Sequence, residues 1–179
     1  MKVIALDAGL AHLGVAIMED QPAMTSQPWK VVGLSLITTE PDPRKKRVRQ
    51  ADDDARRVMQ AHHELCRLIE YHSIKRLVVE LPVAGAKSAP ALKCLAYASA
   101  LIACVVDRYG LFAEFYSAGE VRQCLLGRWT SSKEAAQDYV DKKYPQVRAM
   151  FPRKDDRGHV LDALAVFETA LQLGNACRP

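Results

Sequence analysis

Over the first part of the chain, apolar residues come in short runs set off by glycine, proline or charge: 2–7 (KVIALD), 12–18 and 31–38 (VVGLSLIT). Runs of this length bounded by turn residues predict three strands linked as hairpins. The period then changes. Val58, His62, Leu65, Leu68 and Ile69 recur at helical spacing, which predicts a helix over about 52–71, and Asp52, Asp53 and Asp54 suit its N-terminus electrostatically. Residues 76–81 (RLVVEL) predict a fourth strand. A loop containing Pro82, Gly85 and Pro90 gives way to an Ala- and Leu-rich helix, taken over 91–106 and running on to about 109, where Gly110 stops it. The run LFAEFY predicts a fifth strand, followed by helices at about 118–126 and 131–143. Ser117 with Glu120 and Ser131 with Glu134 both have capping-box spacing. A last helix begins at 157 or 159 and runs to Leu173, with Gly174 as its stop.

A meander followed by alternating helix and strand predicts an α/β layer architecture with a mixed sheet. A right-handed crossover through the first helix would lay the fourth strand parallel to the first. The length of 179 residues fits one domain over the whole chain, and 49% hydrophobic content is enough for a sizeable core. The Ala-rich helix, with Ala96, Ala98, Ser99, Ala100 and Ala103, is expected to be buried. Its most apolar part, Cys94 to Val106, is short for a bilayer span, so no membrane partner is expected. The five cysteines form no CxxC pair, and nothing near the N-terminus has the form of an export signal, so reduced thiols and a cytoplasmic location in a bacterium or phage-infected cell are expected.

The formal charge is only +4, but Arg44, Lys45, Lys46, Arg47 and Arg49 are packed together after Pro41 and Pro43, a run that favours a polyanionic partner. The acidic pattern points to chemistry. Asp7 ends the first run, Glu80 ends LVVE, and His159 and Asp162 lie three apart on one face of the last helix. Ligands in α/β sheets gather beyond the carboxyl ends of parallel strands, where Asp7 and Glu80 would both stand. Clustered carboxylates repel one another unless a cation lies among them, and oxygen-rich ligation selects Mg²⁺ or Mn²⁺. Two such ions about 3.5–4 Å apart hold the attacking and leaving oxygens of a phosphodiester.

The segments ALDAGLAHLGVAI, LVVELPVAGAKSAPALKCLAYA and GHVLDALAVFETAL resemble, in order, the first motif, the glutamate motif and the final helical motif of RuvC-type Holliday junction resolvases, over nearly the whole chain. The resemblance implies a ribonuclease-H-like fold with a mixed five-stranded sheet flanked by helices. It also implies a homodimer and Mg²⁺-dependent cutting of four-way DNA junctions by paired symmetric nicks, with Mn²⁺ able to substitute and two ions per site. On this mapping Asp7, Glu80, His159 and Asp162 are metal ligands. The stretch EVRQCLLGRWTSSKEAAQDYV resembles the family segment carrying two basic residues important for cleavage, which fall on Arg122 and Lys133. Lys87, in the loop after the glutamate motif, joins the DNA-contact set. Two departures, alanine rather than proline after Asp7 and Val83 where one branch has an aromatic, touch sequence preference and strand opening rather than the reaction.

Other readings stand beside these. A related nuclease acting on flaps, forks or RNA–DNA hybrids, or a branched-DNA binding protein without catalysis, would share most of the pattern. Asp155 and Asp156 suit the dipole of the last helix or would supplement the metal site. The basic run after Pro43 could instead be a solvated loop balanced by the three aspartates that follow, although DNA contact is the favoured reading. His12, His62, His63 and His72 are expected to be surface residues. Trp29, at a strand start, suits packing, whereas Trp129, in a loop, is free to stack on bases.

Overall fold

The computed structural model describes residues 1–22, 28–43, 48–81 and 88–174. Five strands form one sheet: β1 (Lys2–Asp7), β2 (His12–Asp20), β3 (Trp29–Thr38), β4 (Arg76–Glu80) and β5 (Phe112–Tyr116), in the order β3-β2-β1-β4-β5. The first three are antiparallel neighbours, while β4 is parallel to both β1 and β5. This is the expected mixed sheet. Helices α1 (Gln50–His72) and α2 (Ala89–Tyr109) connect β3 to β4 and β4 to β5; α3 (Ala118–Leu126), α4 (Lys133–Lys143), α5 (Gln146–Met150) and α6 (Lys154–Gln172) follow.

The two-residue period of β1 divides its side chains between two cores. Val3 and Ala5 pack with α3, α4 and α6 on one face; Ile4 and Leu6 pack with α1 and α2 on the other. Burial on both faces explains why β1 reads as a continuous apolar run. In α6 every residue from Val160 to Ala170 is buried. Its Glu168 is held by the Tyr144 hydroxyl and, at 2.5 Å, by the Lys143 ammonium. Buried Asp54 takes Lys93 Nζ at 2.5 Å and joins α1 to α2.

Several boundaries differ from expectation for local reasons. The α6 helix begins at Lys154, earlier than expected; its first turn is largely exposed and polar, so hydrophobic periodicity does not announce it. The Ser117–Glu120 capping box forms, but α4 is capped by Ser132, whose hydroxyl accepts from Ala135 N, and the Ser131–Glu134 box does not form. Pro90 lies in the first turn of α2 rather than in the preceding loop, where its missing N–H costs no helical bond. The short α5 buries only Val147 and leaves almost no periodic trace. Trp29 packs edge-on against Phe167, as expected from its position at a strand start.

The largest correction concerns α2, which is not a buried helix. Ala98, Leu101, Ile102 and Val105 are buried, but Leu92, Ala96, Ala100, Ala103 and Cys104 are exposed. The helix also extends well beyond the stretch Cys94 to Val106: its 21 residues are long and apolar enough, by length and composition, to cross a membrane. Its connections show why it stays with the sheet. It joins two parallel neighbouring strands, so both its ends are tied to that sheet, and its inner face fills the core under β1 and β4.

The second turn of α6, at His159, sits directly on β2. Gly14 pairs with Asp7 across the β1–β2 ladder, and a Cβ there would overlap the carbonyl group of His159. Gly14→Ala should therefore cost about 1–3 kcal/mol by overpacking, read as a lower urea midpoint. An unchanged midpoint would show that α6 is free to move off the sheet.

Candidate active site

Asp7 and Glu80 are partners in the parallel β1–β4 register, so neighbouring strand ends place two carboxylates side by side. Across from them, α6 presents His159 and Asp162 one turn apart. His159 Nδ1 donates to Asp7 Oδ2 at 2.7 Å, closing a link between positions 152 residues apart in sequence. Asp7, His159 and Asp162 each offer a ligand atom, and these atoms lie within 4.8 Å of one another. Glu80 lies outside that tight trio yet feels the charges of both aspartates.

Burial and repulsion set the protonation of the cluster. Burial, then the Asp7 and Asp162 charges, push Glu80 up to about 8, against the opposing pull of Lys133 and Arg122. Asp162 is raised chiefly by burial and next by Asp7. The hydrogen bond to Asp7 raises His159 although burial works the other way. Lys133 Nζ lies 2.6 Å from Asp162 Oδ2; burial disfavours its charge, but the surrounding carboxylates prevail and raise its pKa.

These residues suit a hard divalent cation. Asp162 Oδ2 is buried, and its charge is met by the Lys133 ammonium at 2.6 Å. Three carboxylates that cannot all ionise comfortably, with an imidazole beside them, form the oxygen-rich donor set that Mg²⁺ or Mn²⁺ takes. Asp7, His159 and Asp162 could hold such an ion, with Glu80 beside them and His159 either a ligand or the group that orients Asp7.

The remaining expected site residues divide. Arg122 faces the cluster: its charge reaches Glu80, and its Nε donates to the Trp129 carbonyl at 3.2 Å. Arg49 is highly exposed and paired with Asp52 at 2.7 Å, so a following aspartate does balance it. Arg44, Lys45, Lys46, Arg47, Lys87 and Val83 lie outside the described residues. Asp155 and Asp156 occupy the first turn of α6, with Asp156 3.6 Å from Arg153.

Three site residues went unnoticed in the sequence. His12 is exposed, as expected, but its ring also stacks on His159 with centroids 5.1 Å apart. Gln137 of α4 donates to Asp162 Oδ1 at 2.9 Å and to the Gly158 carbonyl at 3.2 Å, fixing the carboxylate that α6 supplies. Lys154 joins Lys133 and His159 along an open cleft of about 370 Å³ between α4 and α6. The family motif carried no signal for these contacts, which depend on how α4 and β2 meet α6.

The sequence matches no family model and no curated protein. Solved structures do match the fold. Thermus thermophilus RuvC in complex with a Holliday junction substrate is 20% identical, with a TM-score of 0.70 over 98% of this chain and 96% of that one. The yeast mitochondrial Holliday junction resolvase Ydc2 is 8% identical, with a TM-score of 0.60 over 95% of this chain and 78% of that one. The fowlpox virus resolvase, solved with Holliday junction DNA, is 15% identical, with a TM-score of 0.53 over 96% of this chain and 99% of that one. The chain therefore shares the fold of these resolvases, the expected mixed five-stranded sheet flanked by helices.

The Glu80 shift makes a prediction about the metal-free protein. Unfolded, Glu80 loses its proton near 4.5; folded, it keeps it to about 8, so between those values the folded state binds the extra proton. Its contribution therefore makes stability fall as pH rises through that window. Urea midpoints measured in chelator should show this fall, and Glu80→Gln should flatten it. Asp7→Asn should narrow the window from above, because the Asp7 charge helps to raise Glu80. An unchanged slope in Glu80→Gln would refute the assignment.

Proposed function

We propose that this chain is a metal-dependent endonuclease that cuts four-way DNA junctions as a homodimer, leaving 5′-phosphate and 3′-hydroxyl ends. One observation carries the reading: Asp7, His159 and Asp162 converge beside Glu80 at the carboxyl ends of β1 and β4. The fold shared with solved resolvases supports it.

When bound, Mg²⁺ would supply an activated water and neutralise the departing 3′ oxygen. The chain's own groups prepare for that chemistry. His159 holds Asp7 through its Nδ1–H, and Gln137 holds Asp162, so two ligand carboxylates are oriented before DNA arrives. Lys133 brings a positive charge to the rim of the cluster, where it would neutralise a phosphate entering the site. Arg122, Lys154 and the basic run at 44–49 would extend that attraction along the DNA backbone.

A four-way junction has two-fold symmetry, and two symmetric nicks need two sites. The outward face of α2 offers a surface for the second copy. Ala96, Ala100 and Ala103 are small enough for close helix approach, and exposed Leu92 adds apolar area to the same helix.

The test is product mapping on a synthetic mobile four-way junction in Mg²⁺, Mn²⁺, Ca²⁺ and chelator, beside duplex, flap and RNA–DNA hybrid controls. Paired nicks that ligate are expected, in Mg²⁺ or Mn²⁺ alone. Asp7→Asn and Asp162→Asn should lower the rate by about 10³-fold or more, and Lys133→Ala by about 10²-fold. Wild-type cleavage by Asp7→Asn would sink the reading. Junction affinity should fall steeply from about 50 to 200 mM salt. The solution mass should be that of two chains, and Ala100→Arg should convert it to one.

A further inference from the structure

The loop between α3 and α4 holds an aromatic ring that the cleavage chemistry above does not use. Trp129 is 55% exposed, one of two tryptophans in the chain, and the other, Trp29, is committed to Phe167. Its ring is nevertheless fixed in place. It lies against Gly119, where a Cβ would overlap Cε3 and Cζ3 of the indole, so the glycine makes the seat. Its carbonyl accepts from Arg122 Nε at 3.2 Å, and the turn beside it is closed by Ser131 N donating to the Arg128 carbonyl at 3.2 Å.

The seat stands at the site's end of the sheet. Gly119 lies in the first turn of α3, immediately after β5, whose last residue Tyr116 pairs with Glu80. Four residues beyond Trp129 comes Lys133, whose ammonium touches Asp162, and four residues of chain span at most about 14 Å. Arg122, bonded to the Trp129 carbonyl, Arg128 beside it in sequence and Lys133 four residues on bring positive charge to the same stretch of chain. A protein partner would find an isolated ring among cations; a nucleic acid would find both a surface for its base and counter-charges for its phosphates.

We infer that Trp129 is a base-stacking platform that receives an unpaired nucleobase of the bound DNA beside the cleavage site. The inference rests on the nuclease reading above. Its role is positioning: a stacked base fixes where the strand enters the carboxylate cluster.

In a Trp29→Phe background Trp129 is the only indole, and its emission can be followed while a four-way DNA junction is added in Ca²⁺, with binding read in parallel from the anisotropy of labelled DNA. Quenching that tracks binding is expected. Trp129→Ala should weaken binding about 5- to 150-fold, the range of one lost base–aromatic stack, with Trp129→Tyr largely restoring it and Trp129→Leu failing to. A folded Trp129→Leu variant that binds and cleaves as wild type overturns the inference, and so does unchanged emission under saturating DNA. Emission that changes with protein concentration alone overturns it in favour of a contact between copies. In all three cases the nuclease reading survives. Absence of any junction binding by anisotropy overturns both.

Discussion

Everything about this molecule turns on one electrostatic constraint: the parallel pairing of β1 and β4 sets Asp7 beside Glu80, and α6 then adds Asp162 to the same crevice. Uncompensated negative charges at such spacing and burial cannot all be carried together. The protein relieves the conflict in three ways. Glu80 keeps its proton to about 8, Asp7 accepts a hydrogen bond from His159, and Asp162 faces the Lys133 ammonium. Each device answers a charge that packing alone would not tolerate, and all three would be relaxed by one divalent cation.

The same constraint explains why α6 is the most deeply buried helix. Two of the four groups in the cluster come from its first half, so its placement on the sheet must be exact to a fraction of a side chain. Gly14 lets the helix backbone approach β2, Gln137 ties its Gly158 carbonyl and Asp162 to α4, and Glu168 anchors its far half to Lys143 and Tyr144. The polar anchors flank an apolar core that includes Phe167 and Leu164. Position along the helix is thus fixed by hydrogen bonds, and depth by apolar packing and the missing Cβ.

How much of this could be read from the residues follows from which interactions are local. The strands ending at Asp7 and Glu80 were legible because a doubly buried parallel strand is a bounded apolar run, and the i, i+3 spacing of His159 and Asp162 put them on one face. The Ser117 capping box is local and formed as expected; Ser131 lost to Ser132 because a one-residue choice of cap depends on where the preceding turn closes. His12, Gln137 and Gly14 were invisible because their significance lies wholly in what α6 brings to them. The α2 helix misled for a related reason: an apolar helix face reads the same whether it meets its own core or the outside, and only the sheet shows which residues are covered.

The two faces of the sheet consequently carry different work. Helices α3, α4 and α6 on one face supply Arg122, Lys133, Gln137, His159 and Asp162, while α1 and α2 on the other supply no side chain to the cluster and leave small apolar residues outside. A substitution on the exposed face of α2 is therefore separated from the carboxylates by the sheet itself and should leave their protonation alone. In the dimer proposed above, that separation would let assembly and chemistry be perturbed independently. A variant that stays a single chain in solution but keeps the Glu80 titration would place the defect in pairing, whereas one that keeps the mass of two chains and loses the titration would place it in the site.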